Sequence, residues 1–136
     1  MSGTQPDALA QINDLLGKHP AQENDCGEKY TQLSRDGDKL VAEVTLAECD
    51  RSYRFEVPVA KLMFDKMETE VTPKHGRGQV YILCQNDESC AAWMTRDNDD
   101  AEWRKVRDDP EFVIDLAPDA EVVATLKGLL GEWRGG

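Results

Sequence analysis

The stretch VYILCQNDESCAAWM, residues 80–94, sets two cysteines, Cys84 and Cys90, on either side of a polar five-residue insert. Such a pair can hold a metal, exchange electrons or close a covalent loop. A zinc site takes four ligands, usually in closer pairs, and the chain's only histidines, His19 and His75, lie in separate polar stretches. No C-x-x-C redox motif occurs. If the segment is a hairpin centred on Asp87, Cys84 faces Cys90, Ile82 faces Ala92 and Tyr81 faces Trp93, like against like. Non-hydrogen-bonded partners in such a ladder stand about 4.5 Å apart at their alpha carbons, within reach of a disulfide. A Cys84–Cys90 bridge is the favoured reading, ahead of two reduced core cysteines and of a metal site.

Cys26 and Cys49 form a second candidate pair. A hairpin turning at Asp36-Gly37, extended outward, brings Cys26 opposite Ala47, two residues from Cys49. Disulfides persist in oxidising compartments. Two sensible pairs therefore favour a periplasmic or extracellular protein, with a cytoplasmic one carrying reduced cysteines as the alternative. The opening MSGTQPDALAQ resembles the polar tether that follows the lipidated cysteine of bacterial lipoproteins, with Met1 standing in that cysteine's place. The resemblance implies a lipid anchor ahead of this sequence. No basic n-region with an apolar h-region is present, so no signal peptide is expected. Membrane insertion is not expected either, because no apolar run approaches the roughly 18 residues of a span.

Catalytic chemistry finds little to work with. Nucleophilic catalysis needs a nucleophile, a base and an orienting group, yet no G-x-S-x-G elbow occurs and neither histidine has a motif around it. The KHGRG segment, residues 74–78, is too short for a phosphate-binding loop and reads as a turn. Asp97, Asp99 and Glu102 in DNDDAE could offer oxygens to calcium, but the glycine and distal glutamate of an EF-hand loop are missing. The expectation is a protein with no catalytic residues, no cofactor and no metal.

Charge is more informative. The formal net charge of −11 disfavours nucleic acid and anionic lipid as partners. Residues 97–121 hold ten Asp or Glu against three Lys or Arg, with Trp103 among them. A tryptophan in a charged stretch is either an anchor into the core or an exposed binding hot spot. Asp97, Asp99, Asp100 and Trp103 are the candidate partner-binding residues, and complementary charge makes the partner a basic protein.

The elements that must position these residues come from periodicity. Leu9, Ile12, Leu15 and Leu16 share a helical face, after Pro6 and before Gly17. Leu40, Ala42, Val44 and Leu46 alternate along one strand, and Tyr53, Phe55, Val57 and Val59 along the next, where Pro58 marks an end or an edge. METEVTP reads as a short strand, residues 78–85 and 89–95 as the cysteine hairpin, and EFVIDL as a last strand. Trp103 sits in an acidic excursion holding a strand or a helical turn. Val122, Leu126, Leu129, Leu130 and Trp133 then line one face of a terminal helix with acids in its first turn.

A chain of 136 residues, 40% hydrophobic and 32% charged, fits a globular domain. The expected organisation is a tether and short amphipathic helix over 1–27, then a single α+β domain over 28–136. Its antiparallel sheet or partly open barrel has about seven strands and a C-terminal capping helix. Over residues 28–134 this order resembles the pleckstrin-homology-like barrel, whose last helix plugs one open end of two packed sheets. A cystatin-like or other sheet-and-helix fold is the competitor. The functional expectation is a non-enzymatic protein-binding module of the bacterial envelope, such as an inhibitor or immunity protein against a basic toxin or cell-wall hydrolase. The alternatives are an accessory part of an envelope assembly and a cytosolic adaptor domain.

Overall fold

A computed structural model describes residues 4–98 and 100–135. Among them are two helices and nine antiparallel strands. Helix α1 (Thr4–Lys18) leads into strands β1 (Ala21–Glu23), β2 (Gly27–Asp36), β3 (Lys39–Leu46) and β4 (Ser52–Pro58). After these come β5 (Leu62–Thr72), β6 (Arg77–Cys84), β7 (Ala91–Arg96), β8 (Arg104–Asp109) and β9 (Glu111–Leu116), and helix α2 (Ala120–Trp133) closes the order. The strands divide into a six-stranded sheet, β1-β2-β3-β4-β7-β8, and a three-stranded sheet, β5-β6-β9. The α+β class and the two terminal helices agree with the sequence reading. Closure does not occur: the sheets remain open rather than forming a barrel.

The β2–β3 hairpin turns one residue later than its sequence suggests. Asp36 pairs with Lys39, so Gly37 and Asp38 form the turn, with Gly37 at a φ of 63° that suits glycine. That register, carried outward past Lys29↔Leu46, sets Cys26 opposite Cys49 instead of Ala47. The two cysteines are bridged, with alpha carbons 5.2 Å apart. Pro58 is the last residue of β4, and β7 pairs only as far as Glu56, so the missing N–H leaves no ladder position empty.

The second hairpin is where local reading fails. Cys84 and Cys90 are bridged, with alpha carbons 5.9 Å apart, but β6 and β7 are not partners. Ile82 stands between Met67 and Phe112, and Tyr81 between Glu68 and Val113. Trp93 instead pairs with Phe55 and Arg107 in the other sheet. The bridge therefore joins the end of one sheet to the start of a strand in the other. The first six residues of METEVTP, Met67 to Thr72, prove to be the second half of the long strand β5, whose ladder is interrupted by a bulge between Leu62 and Met67, and Pro73 opens the turn that follows.

One main core fills the space between sheets and helices. Ile12 and Leu16 of α1 meet Leu33, Leu40, Ala42 and Val57 from the large sheet, and Val80, Ile82, Phe112 and Ile114 from the small one. From α2 come Val123, Leu126, Leu130 and Trp133, all buried, with Val122 and Leu129 half-buried beside them. Asp119 caps α2 by accepting from the backbone N–H groups of Glu121 and Val122 at 2.9 and 3.3 Å. The helix lies so close to β6 that a β-carbon at Gly78 would stand 2.5 Å from Val123 Cγ2 and 2.7 Å from the Ala117 carbonyl oxygen. Backbone on one side leaves little room to relax. Gly78→Ala should destabilise the fold by about 1–3 kcal/mol, read from the urea unfolding midpoint. An unchanged midpoint would show that α2 is not seated on this strand.

Candidate functional site

Asp97 and Asp100 lie in the turn between β7 and β8, and both are exposed. Asn98 shapes that turn, its side-chain oxygen accepting the Asp100 N–H at 2.9 Å and its carbonyl the Ala101 N–H at 3.1 Å. Among the described residues Asp97 pairs with Arg104, at 3.5 Å, so exposed that the pair adds little stability. Asp99 lies outside the described residues. Trp103 is neither a core anchor nor fully exposed. It is half-buried on the outer face of the large sheet, with the Arg96 guanidinium 4.3 Å and that of Arg54 5.7 Å from its ring centre.

The other acids of residues 97–121 do not share one surface. Asp108 pairs with Lys105 at 2.9 Å and Asp109 with Arg107 at 2.8 Å. Asp119 is spent on the helix cap. Partial burial pushes the Glu111 carboxyl above its ordinary range, helped by the nearby charges of Glu68 and Asp109. Tyr81, on the same face, donates its hydroxyl to Glu70 at 2.8 Å. Burial first, then that carboxylate, push its phenol up to about 12.

A second feature has no counterpart in the sequence reading. The inner face of the large sheet continues past the core, where Val44, Tyr53, Phe55 and Trp93 follow one another across β3, β4 and β7. Opposite them stand Arg77, Gln79, Val113 and Asp115, the face of the small sheet turned away from α2. Between the two lies a cleft of about 400 Å³. Phe55 ties it to the core, meeting Trp93 at 6.4 Å and Phe112 edge-on at 6.1 Å between ring centres.

Charged groups converge on this cleft from distant parts of the chain. Lys29 Nζ meets Asp115 Oδ2 at 2.5 Å, with only 13% and 12% of the two side chains exposed. Gln79 Nε2 donates to the other carboxylate oxygen at 2.8 Å. Lys29, Asp115 and Gln79 thus tie β2 to β9 and β6, and removing one partner would strand a largely buried charge. Arg107 lies over the Trp93 ring at 4.3 Å while donating to Asp109. Lys29 is 86 residues from Asp115, and no local motif announces either contact. The only available signal was Tyr53 and Phe55 on an inward-facing stripe.

No family model, curated protein or solved structure matches this chain. Among the described residues no helix is long and apolar enough to cross a membrane. The two bridges, which leave no cysteine free among the described residues, suit an oxidising environment.

Proposed function

We propose that this chain is a non-enzymatic protein-binding module of the bacterial cell envelope, acting in the periplasm or outside the cell. It meets a basic protein at the β7–β8 end, and its most concrete form is an inhibitor or immunity protein against a basic toxin or cell-wall hydrolase. The observation that carries this reading is the exposed acidic turn, Asp97 and Asp100, beside the half-buried Trp103. An outward carboxylate pair next to an aromatic ring that two arginines approach joins steering charge to a preformed contact surface. The net charge of −11 extends the attraction beyond the turn, and two disulfides suit the compartment.

Binding should weaken with salt as the screening length falls from about 10 Å at 0.1 M to about 3 Å at 1 M. Asp97→Asn with Asp100→Asn should chiefly slow association, because rim charges act on encounter, whereas Trp103→Ala should speed dissociation. The measurement is capture from envelope extract at low salt, identification of the partner, and binding kinetics with the purified pair. A partner whose association ignores both salt and the double substitution would sink the acidic-turn reading.

A further inference from the structure

We infer that the cleft between the two sheets is a binding site for an amphipathic monocarboxylate, its anionic group held by Arg77 and its apolar part laid over Tyr53, Phe55 and Trp93. Three cations line the cleft: Lys29, Arg77 and Arg107. Two are already engaged, Lys29 by Asp115 and Arg107 by Asp109 and the Trp93 ring. Arg77 differs. Its Nε is buried and finds no acceptor among the described residues, and its guanidinium makes no ion pair with them. A buried donor left unmade is costly. The guanidinium fork matches a carboxylate, which can accept two parallel hydrogen bonds.

The rest of the lining narrows the ligand. Glu23 and Glu111 border the same cleft, so a doubly charged anion such as a phosphate monoester would be repelled where a single charge on Arg77 is tolerated. The aromatic floor and Val113 ask for an apolar body rather than a sugar. A volume of about 400 Å³ admits one large side chain with its carboxylate. Two sources share this chemistry: a free small acid, and the C-terminal residue of a peptide. This site lies on the inner face of the large sheet, away from Trp103, so its test is independent of the acidic-turn reading.

Titration calorimetry on the full chain with four probes decides the matter: 3-phenylpropanoate, 3-phenylpropanamide, N-acetyl-glycyl-phenylalanine and its C-terminal amide. Each acid should bind at least about tenfold more tightly than its amide, as a charge-assisted bidentate contact requires. Arg77→Gln should reduce the acids to the level of the amides and leave the amides unchanged. Val113→Trp, which fills the cleft, should abolish all four. Tighter binding of the peptide acid assigns the site to a C-terminus, and tighter binding of phenylpropanoate assigns it to a free acid. If Arg77→Gln fails to fold, Arg77→Lys replaces it and should shrink the acid-to-amide ratio, since an ammonium lacks the fork. No saturable binding by the unaltered protein, equal affinity for acids and amides, or an acid preference that survives loss of the guanidinium would each overturn the proposal.

Discussion

Replacing Cys26 and Cys49 together by alanine is expected to lower the unfolding free energy by about 3 kcal/mol, against about 2 kcal/mol for replacing Cys84 and Cys90. The difference comes from the loops the bridges close, 23 residues apart in one case and 6 in the other. A longer loop removes more freedom from the unfolded chain, and the dependence on length is logarithmic. Packing does not separate the two, because Cys26 is buried with Val44 and Leu46 against Tyr53 while Cys84 is buried as deeply and Cys90 packs against the main core. The short bridge has a different native role. It ties the last residue of β6 to the residue before β7, and so one sheet to the other, while Cys90 donates its N–H to Cys84 Sγ at 3.2 Å. Urea unfolding of the two double variants, with equal denaturant slopes, gives the comparison. A larger loss from the Cys84–Cys90 pair would mean that clamping the sheets outweighs loop entropy.

Both bridges were legible in the sequence, one on nearly the right geometry and one on a wrong premise. For Cys26 and Cys49 the hairpin was real and only its turn was misplaced by a residue. For Cys84 and Cys90 the inferred ladder does not exist, yet the cysteines meet because a short loop keeps them close whichever sheets their strands join. Alternation with period two marks Val80, Ile82 and Cys84 as one face of a strand, but any other alternating strand satisfies that face equally well. The nearest candidate, residues 89–95, lost to β5 and β9, whose pairing is nonlocal and leaves no local trace. Helix α2 was easier, since its apolar stripe is decided within the helix itself, and only Val123 was missed. The Arg77 cleft was invisible for the same reason as the ladder. Its walls come from two sheets, and its ion pair joins residues from opposite ends of the chain.

Phe112→Ala should cost about 3–5 kcal/mol, the range for removing a fully buried aromatic ring. Phe112 is 0% exposed at the second position of β9. It stands opposite Ile82 in the small sheet and meets Phe55 of the large sheet edge-on. The ring thus bridges the two sheets at the point where the core gives way to the cleft. The loss should exceed that of a half-buried aromatic such as Trp103, whose ring contacts among the described residues are with Arg54 and Arg96. A double-mutant cycle separates the sheet-to-sheet contact from simple burial. Phe55→Leu and Phe112→Leu, alone and combined, should reveal a coupling of about 0.5–1.5 kcal/mol, the worth of an edge-to-face pair beyond its buried area. Phe112→Leu should also cost clearly less than Phe112→Ala, because leucine fills much of the same volume. Chemical unfolding followed by circular dichroism supplies all five values. A loss below about 1 kcal/mol for Phe112→Ala, well short of the buried-ring range, would mean that the small sheet does not pack on the large one through this ring. The wall of the cleft would then lose its support as well.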